Sequence, residues 1–372
     1  MQIVVIGGGV LGTMHAVEAV KRGHQVVHLE REPEARGASV RNFGLIWVSG
    51  RSAVELPETL RARELWEELG ERIPGIGFRP RGSLTVLRTD AEVAVAKEAA
   101  SRPDAGHRGF ELLDAHAARE RNPALRGEFL AALWCAKDAS VESRVALPAI
   151  REQLLLTDRY RYLPNRTALR ITGSTTVEDD QGDRHSADLV VFCPGAALGG
   201  LATELTGGMA VRRVRLQMMQ TEPLGEPLTT AFADGDSLRY YPGFAGAALE
   251  RLRAEEPQQP VAAAHHMQLL CVQRADGGLT IGDTHSYDEP FPFDLDEAPY
   301  DYLATVVTEL LGRPLPRVRR RWAGVYAQSL DPDEVVVRRE VQPGLWIVTG
   351  PGGRGMTLSP AIAERTADLA DL

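Results

Sequence analysis

The sequence predicts an α/β fold: a parallel sheet flanked by helices, interrupted by an inserted sheet of mixed or antiparallel strands. Three observations carry it. Residues 2–30 read as strand, glycine turn, helix and strand, which is how a parallel sheet opens. Short, wholly apolar strands of the same buried type return at Leu189–Phe192 and Leu345–Thr349. Between those two, from about Val211, longer and more exposed strands take over. The parallel-sheet pieces therefore occur early, in the middle and at the end, so the domain they build is discontinuous.

In chain order, residues 2–6 (QIVVI) form the first apolar strand and run into Gly7-Gly8-Gly9. A helix continues to about Arg22 with Gly23 as its C-cap, and residues 25–29 (QVVHL) form a second buried strand ending at Glu30. Amphipathic helices follow around Pro57–Leu69 and Ala91–Ala100, and Gly82–Leu87 between them alternates like a strand. A helix is expected at 146–156, and strands at Arg161–Leu163 and Ala168–Ile171. Cys193-Pro194-Gly195 closes the Leu189–Phe192 strand. Val211–Thr221, Met267–Gln273 and Leu279–Gly282 supply the inserted sheet, while residues 252–264, polar with paired Pro and Ala, read as a loop. Leu345–Thr349 leads through a glycine-rich turn into a final helix. These boundaries assign 1–75, 135–210 and 320–372 to a nucleotide-binding domain, and 76–134 with 211–319 to a substrate domain.

Composition narrows the function classes. At 372 residues, with 44% hydrophobic and 25% charged content, the chain is an ordinary globular protein with a sizeable core. No apolar run reaches the roughly 18 residues of a membrane span, and a first strand at Gln2 leaves no room for a signal peptide. A cytoplasmic location is expected. The net charge of −9 argues against nucleic acid. Cys135, Cys193 and Cys271 stand far apart with no CxxC, so no metal site or disulfide framework is expected.

Gly7-Gly8-Gly9-Val10-Leu11-Gly12 is GxGxxG, directly after a strand and at a helix start. Gly7 permits the tight turn, Gly9 lets a pyrophosphate approach the backbone, and Gly12 allows close helix–strand packing. The helix N–H groups and dipole hold the phosphates. Glu30, eighteen residues after Gly12 at a strand end, is placed to accept hydrogen bonds from ribose hydroxyls. This pattern alone fits NAD or FAD.

Two further segments bear on that choice: Gly37-Ala38-Ser39-Val40-Arg41-Asn42-Phe43-Gly44, and Gly350-Pro351-Gly352-Gly353-Arg354-Gly355-Met356-Thr357-Leu358-Ser359-Pro360. At these residues the chain resembles the D-amino-acid oxidase superfamily, whose nearer members include glycine and sarcosine oxidases. The resemblance extends over essentially the whole length, including LVVFCPG at Leu189–Gly195, VRLQ at Val214–Gln217 and WAG at Trp322–Gly324. It implies FAD, with pyrophosphate contacts at Ser39, ring contacts near Arg41, Asn42 and Phe43, and backbone contacts from Gly352 through Thr357. Val10, Leu11, Arg31, Ala168 and Gly195 join Gly7, Gly9, Gly12 and Glu30 as cofactor contacts. A helix N-terminus beside the ring would stabilise the negative charge of reduced flavin. Two departures stand out. Where such oxidases often carry a carboxylate-binding Arg, this chain has Val325 or Tyr326; and no Cys lies near Tyr326–Glu334, so the flavin is expected to be non-covalent.

A narrower resemblance, carried by Ser39–Trp47 (SVRNFGLIW), Thr280–Tyr287 (TIGDTHSY) and Trp322–Ala327 (WAGVYA), is to a bacterial subgroup associated with aminophosphonate breakdown. A phosphonate has up to two charges and three acceptor oxygens, so its site needs Arg, Tyr or His donors. The candidates are Arg239, Tyr240 and Tyr241, His285 and Tyr287, Tyr326, and Arg354; His265-His266 reads as a strand start instead. The expected reaction is oxidation of a small amine by hydride transfer to flavin, followed by imine hydrolysis, with no dedicated base. The electron acceptor, O₂ or another, and the oligomeric state are left open by the sequence. Rival readings are an NAD(P)H-dependent FAD hydroxylase and a non-catalytic flavin protein. The first needs a Gly-Asp pair before a helix, and Gly282-Asp283 is followed by no helix signal.

Overall fold

The computed structural model describes residues 1–173 and 175–372. Its parallel sheet has six strands in the order Val337–Gln342, Leu345–Thr349, Leu189–Phe192, Gln2–Ile6, Gln25–Glu30 and Tyr160–Pro164, all parallel except the first, an antiparallel edge. Alternation along the first strand sorts its residues to two faces. Ile3 and Val5 join the core under the helices Val10–Lys21, Leu56–Arg72, Ala146–Leu155 and Gly355–Leu369. Val4 and Ile6 face a core that includes Val177 and Ile171, from a small antiparallel sheet of Ala168–Thr172, Thr176–Asp179 and Arg184–Ser186.

The inserted sheet has eight strands, ordered Val318–Ser329, Val211–Pro223, Gly278–Gly282, Leu270–Gln273, Ala231–Ala233, Ser83–Leu87, Ala131–Cys135 and Phe110–Asp114. It is mixed: Ala231–Ala233 runs parallel to Ser83–Leu87 and the other pairings are antiparallel. Residues 320–329, expected with the nucleotide-binding domain, lie in this sheet, because Val318–Ser329 pairs with Val211–Pro223 along nearly its whole length.

The expected loop at 252–264 is a correction. Helix Ala247–Glu255 runs into it and Pro260–Ala264 forms another helix. Pro260 sits at the first helical turn, where its missing N–H costs nothing. Ala248, Leu249 and Leu252 form a buried stripe at helical spacing beneath the polar residues. A helix at Ala298–Leu311, burying Leu303, Val306, Val307 and Leu310, had no counterpart in the sequence reading. Among the described residues, no helix is long and apolar enough to cross a membrane.

One fully buried carboxylate fastens the segment after Trp47 to the eight-stranded sheet. Asp138 accepts from Val48 N and Ser49 N, from Ser49 Oγ at 2.7 Å and from Ser83 Oγ at 2.6 Å. It thereby joins that segment to the start of Ser83–Leu87, an interior strand of the eight-stranded sheet. Asp138→Ala leaves four donors without their acceptor, and a loss of about 3 kcal/mol or more is expected, read as a lower urea midpoint. Asp138→Asn should fall between that variant and the wild type.

Candidate active site

A cavity of about 1090 Å³ runs between the sheets, from the turn at Gly7–Gly12, past residues 37–47, to Tyr240, Asp283 and Tyr326. Small-molecule sites span roughly 300–1,000 Å³, so there is room here for a large ligand.

The glycine end is shaped by close backbone approach. Gly7 has φ of +106°, and a Cβ there would stand 2.3 Å from the Cys193 carbonyl oxygen; a Cβ on Gly12 would stand 1.9 Å from that of Gly7. The first turn of the helix thus presses on the strand and leaves its N-terminus facing the cavity. Val10 N donates to Ser39 Oγ at 2.8 Å and Thr13 N to Gly9 O at 2.9 Å. The N–H groups of Leu11 and Gly12, which have no partner within the helix, remain for a ligand. Glu30 is buried at its strand end, with Oε2 accepting from Gly8 N at 2.6 Å and Oε1 from Glu32 N at 2.9 Å. Each oxygen keeps a free lone pair. Gly9, Arg31, Ala168 and Gly195 also line this end.

Midway, Arg41, Asn42 and Phe43, the expected ring contacts, line the cavity, and the first two also fasten its wall. Arg41 donates from Nε to Arg36 O and from Nη1 to Ala323 O, both at 2.8 Å, and its own carbonyl accepts from Trp322 Nε1 at 3.2 Å. Asn42 Nδ2 donates to Ala38 O and Ser39 O, and its Oδ1 accepts from Gly44 N. Phe43 is buried on the cavity wall. Gly352, Gly353, Arg354, Gly355 and Met356 line the opposite side, where the last helix begins. Thr357 does not line it: its hydroxyl accepts from Trp47 N at 3.0 Å and donates to Leu45 O.

At the far end the candidates separate. Tyr240, Tyr241, Tyr287, His285, Tyr326 and Arg354 reach the cavity. Arg239 is a correction: it lies off the cavity, donating to Leu252 O and Glu256 O at the C-terminus of Ala247–Glu255, where a cation complements the helix dipole. His285 is a second. Its Nδ1 lies 2.9 Å from His266 O, so that nitrogen carries the proton, and burial lowers its pKa to about 4. The ring is neutral and its Nε2 is an acceptor, not the anion donor expected. It stacks on Tyr240 at 4.4 Å between centroids.

Arg354 pairs through Nε with Glu55. Burial works to raise the Glu55 pKa, but Arg354 and Arg51 outweigh it and hold it down. Neither Arg51 nor Asp283 was among the candidate site residues of the sequence. Arg51 is 4% exposed, lines the cavity and donates Nε to Trp47 O at 3.0 Å. Its two terminal nitrogens have no partner among the described residues. Burial raises the pKa of Tyr240, Tyr287 and Tyr326, so all three hydroxyls stay protonated donors at neutral pH.

The family model DAO, FAD dependent oxidoreductase, matches residues 2–369. This chain belongs to that family. It is 31% identical over 280 residues to a D-amino-acid oxidase of Streptomyces coelicolor, covering 71% of this chain and 75% of its relative. It is 25% identical over 390 residues to glycine oxidase of Pseudomonas putida, covering 99% and 94% of the two chains. Its fold is similar to that of glycine oxidase from Geobacillus kaustophilus, with a TM-score of 0.78 at 19% identity over 99% and 94% of the two chains.

The cavity of this FAD-dependent oxidoreductase fits its cofactor. The glycine cradle and free N–H groups suit a pyrophosphate, and in the middle the buried Trp47 Nε1 has no partner among the described residues. A Cβ at position 12 would strike backbone rather than a movable side chain. Gly12→Ala is therefore expected to give a folded protein that purifies without yellow colour. Glu30→Ala should weaken FAD binding about 10-fold or more, measured by titrating apoprotein with FAD.

Proposed function

We propose that this FAD-dependent oxidoreductase oxidises the C–N bond of a small primary or secondary amine carrying a phosphonate, a relative of 2-aminoethylphosphonate. The observation that supports it most is Arg51, a buried guanidinium with its terminal nitrogens free, packed over the Tyr241 ring in the cavity that Tyr240, Tyr287 and Tyr326 also line. A buried charge of this kind needs a counter-ion. Arg51, aided by Arg354, offers paired N–H groups, and Tyr240, Tyr287 and Tyr326 add hydroxyls. That supply suits three acceptor oxygens better than the two of a carboxylate. Amino-acid oxidation of the glycine or sarcosine type is the second reading, favoured by the names of the relatives.

FAD, when bound, supplies the two-electron acceptor for the amine's C–H bond. We assign its pyrophosphate to the N–H groups of Leu11 and Gly12 and to Ser39, its adenosine ribose to Glu30, and its ring to the backbone of Gly353–Met356. The chain's own part in the chemistry is to hold the anion at Arg51 so that the carbon bearing the amine is presented in one orientation. Trp47, Leu216, Met218 and Leu270 wall off water. The imine product hydrolyses to an aldehyde or keto compound.

Anaerobic bleaching of the yellow protein tests this. Aminophosphonates, including the N-methyl and 1-hydroxy derivatives of 2-aminoethylphosphonate, should bleach it; glycine, sarcosine and D-amino acids should not. Bleaching by amino acids alone would transfer the site to a carboxylate, and bleaching by NAD(P)H alone would sink amine oxidation. Arg51→Met should raise the substrate Kd about 100-fold while FAD is retained. Arg354→Met should cost less, because Glu55 already occupies its Nε.

A further inference from the structure

The cavity has a second under-compensated group, which the anion site does not use. Asp283 is 5% exposed, lines the cavity, and receives one long hydrogen bond, from Gln268 Nε2 to Oδ1 at 3.4 Å. Its other oxygen, Oδ2, stands 4.0 Å from His285 Nε2. That is no hydrogen bond. With the His285 proton committed to His266 O, both atoms are acceptors, and two lone-pair atoms 4.0 Å apart leave a place for a donor between them. No Lys or Arg pairs with Asp283 among the described residues.

We infer that Asp283 Oδ2 and His285 Nε2 receive the substrate's ammonium group, and that Asp283 takes the proton that must leave nitrogen before oxidation. The transfer is balanced: an N–H bond of the ammonium breaks, its electron pair stays on nitrogen, and an O–H bond forms on Asp283. The products are a neutral amine and a neutral carboxylic acid. The inference rests on the amine-oxidation reading and deepens it.

Three features support it. A carboxylate out of water without a cation is costly, whereas an ammonium with N–H groups directed at Asp283 and His285 satisfies both. The two ends are also linked by a built scaffold. Arg51 lies over the Tyr241 ring at 5.9 Å, the Tyr241 hydroxyl accepts from Gln268 Nε2 at 3.1 Å, and the same nitrogen reaches Asp283. Anion and cation sites are thus held in one register, as a zwitterion requires. Finally, burial raises Asp283 to about 7. An ordinary amine has a pKa of about 10, so its proton moves to a far better matched acceptor than a carboxylate at about 4.

The groups facing Asp283 are His285 and Tyr287 from its own segment, Tyr240 from the short helix Asp236–Tyr240, Tyr241 just after that helix, and Tyr326 from Val318–Ser329. His266 lies behind His285, and Arg51 beyond Tyr241. The tyrosines remain protonated and His285 neutral across the working range.

The test compares affinities of the holoenzyme for ligands differing only in the amine: 2-aminoethylphosphonate against propylphosphonate, and glycine against propionate. Wild type should prefer the amine, and Asp283→Asn should lose about 10- to 100-fold of that preference while binding the methyl isostere unchanged. If Asp283→Asn does not retain FAD, His285→Phe keeps the stack on Tyr240 but removes the acceptor, and should lose part of the preference. Anaerobic reduction of Asp283→Asn should be slow near neutral pH and recover as pH nears the amine's own pKa, where solvent supplies the neutral form. Loss of preference seen only in the glycine pair would keep the ammonium site and remove the phosphonate reading. An unchanged preference in the variants, no preference in wild type, or a wild-type pH profile in Asp283→Asn would overturn the inference and leave the anion assignment standing.

Discussion

The backbone contact between Gly12 and Gly7 sets the geometry on which the rest of the site depends. Because the helix start lies against the strand end, closer than any side chain would permit, its first residues line the cavity. The neighbouring strands converge on the same point: Gly7 N donates to Leu29 O and Cys193 N to Ile6 O, both at 2.8 Å. Three strand ends therefore meet in one crevice, the usual place for a ligand on an open parallel sheet. The strand Leu345–Thr349 then delivers the start of the last helix to the same cavity. A chain that leaves the parallel sheet and returns to it builds both walls of its site.

Buried charge elsewhere in the molecule shows what a purely structural role looks like. Asp138 is fully enclosed and receives four hydrogen bonds, and Arg108, equally buried, is held by Asp104 and by the carbonyls of Val48 and Ser49. Arg51 and Asp283 are as deeply buried, yet each has one partner and an open cavity beside it. Protein interiors rarely leave polar groups so poorly matched, and where they do, a ligand is the usual complement. Degree of satisfaction, more than burial, separates the charges that hold the fold from those left facing the cavity.

That distinction explains what the sequence could reveal. The nucleotide end was legible because its physics is local: glycine spacing, a strand before, a helix after, and Glu30 at a fixed distance all lie within one βαβ unit. The FAD identity needed the resemblance at Ser39–Gly44 and Gly350–Pro360. The far end of the cavity is assembled from separate elements, and sequence neighbours there misled. Arg239 and Tyr240 are adjacent, but successive helical residues point about 100° apart, so one caps a helix while the other reaches the cavity. His285 was identified but given the opposite role, since its tautomer is set by His266 O. Arg51 lies in a segment with no periodicity, and Asp283 drew notice only as half of a Gly-Asp pair. The helices within 247–264 were hidden by Pro260, which reads as a breaker although it starts a helix.

Placing unmatched charges of opposite sign at one end of a cavity also has a consequence for selectivity. A ligand with only an anion would satisfy Arg51 and leave Asp283 buried without a cation; a simple amine would do the reverse. Either mismatch leaves a buried polar group without its complement, a larger penalty than a missing apolar contact and one that a hydrophobic wall cannot offset. Because Tyr241 and Gln268 join the two charges through side chains, their separation is fixed by packing rather than by the ligand. Discrimination then falls on the distance between the two charges of the substrate, so chain length, more than bulk, decides which zwitterions enter.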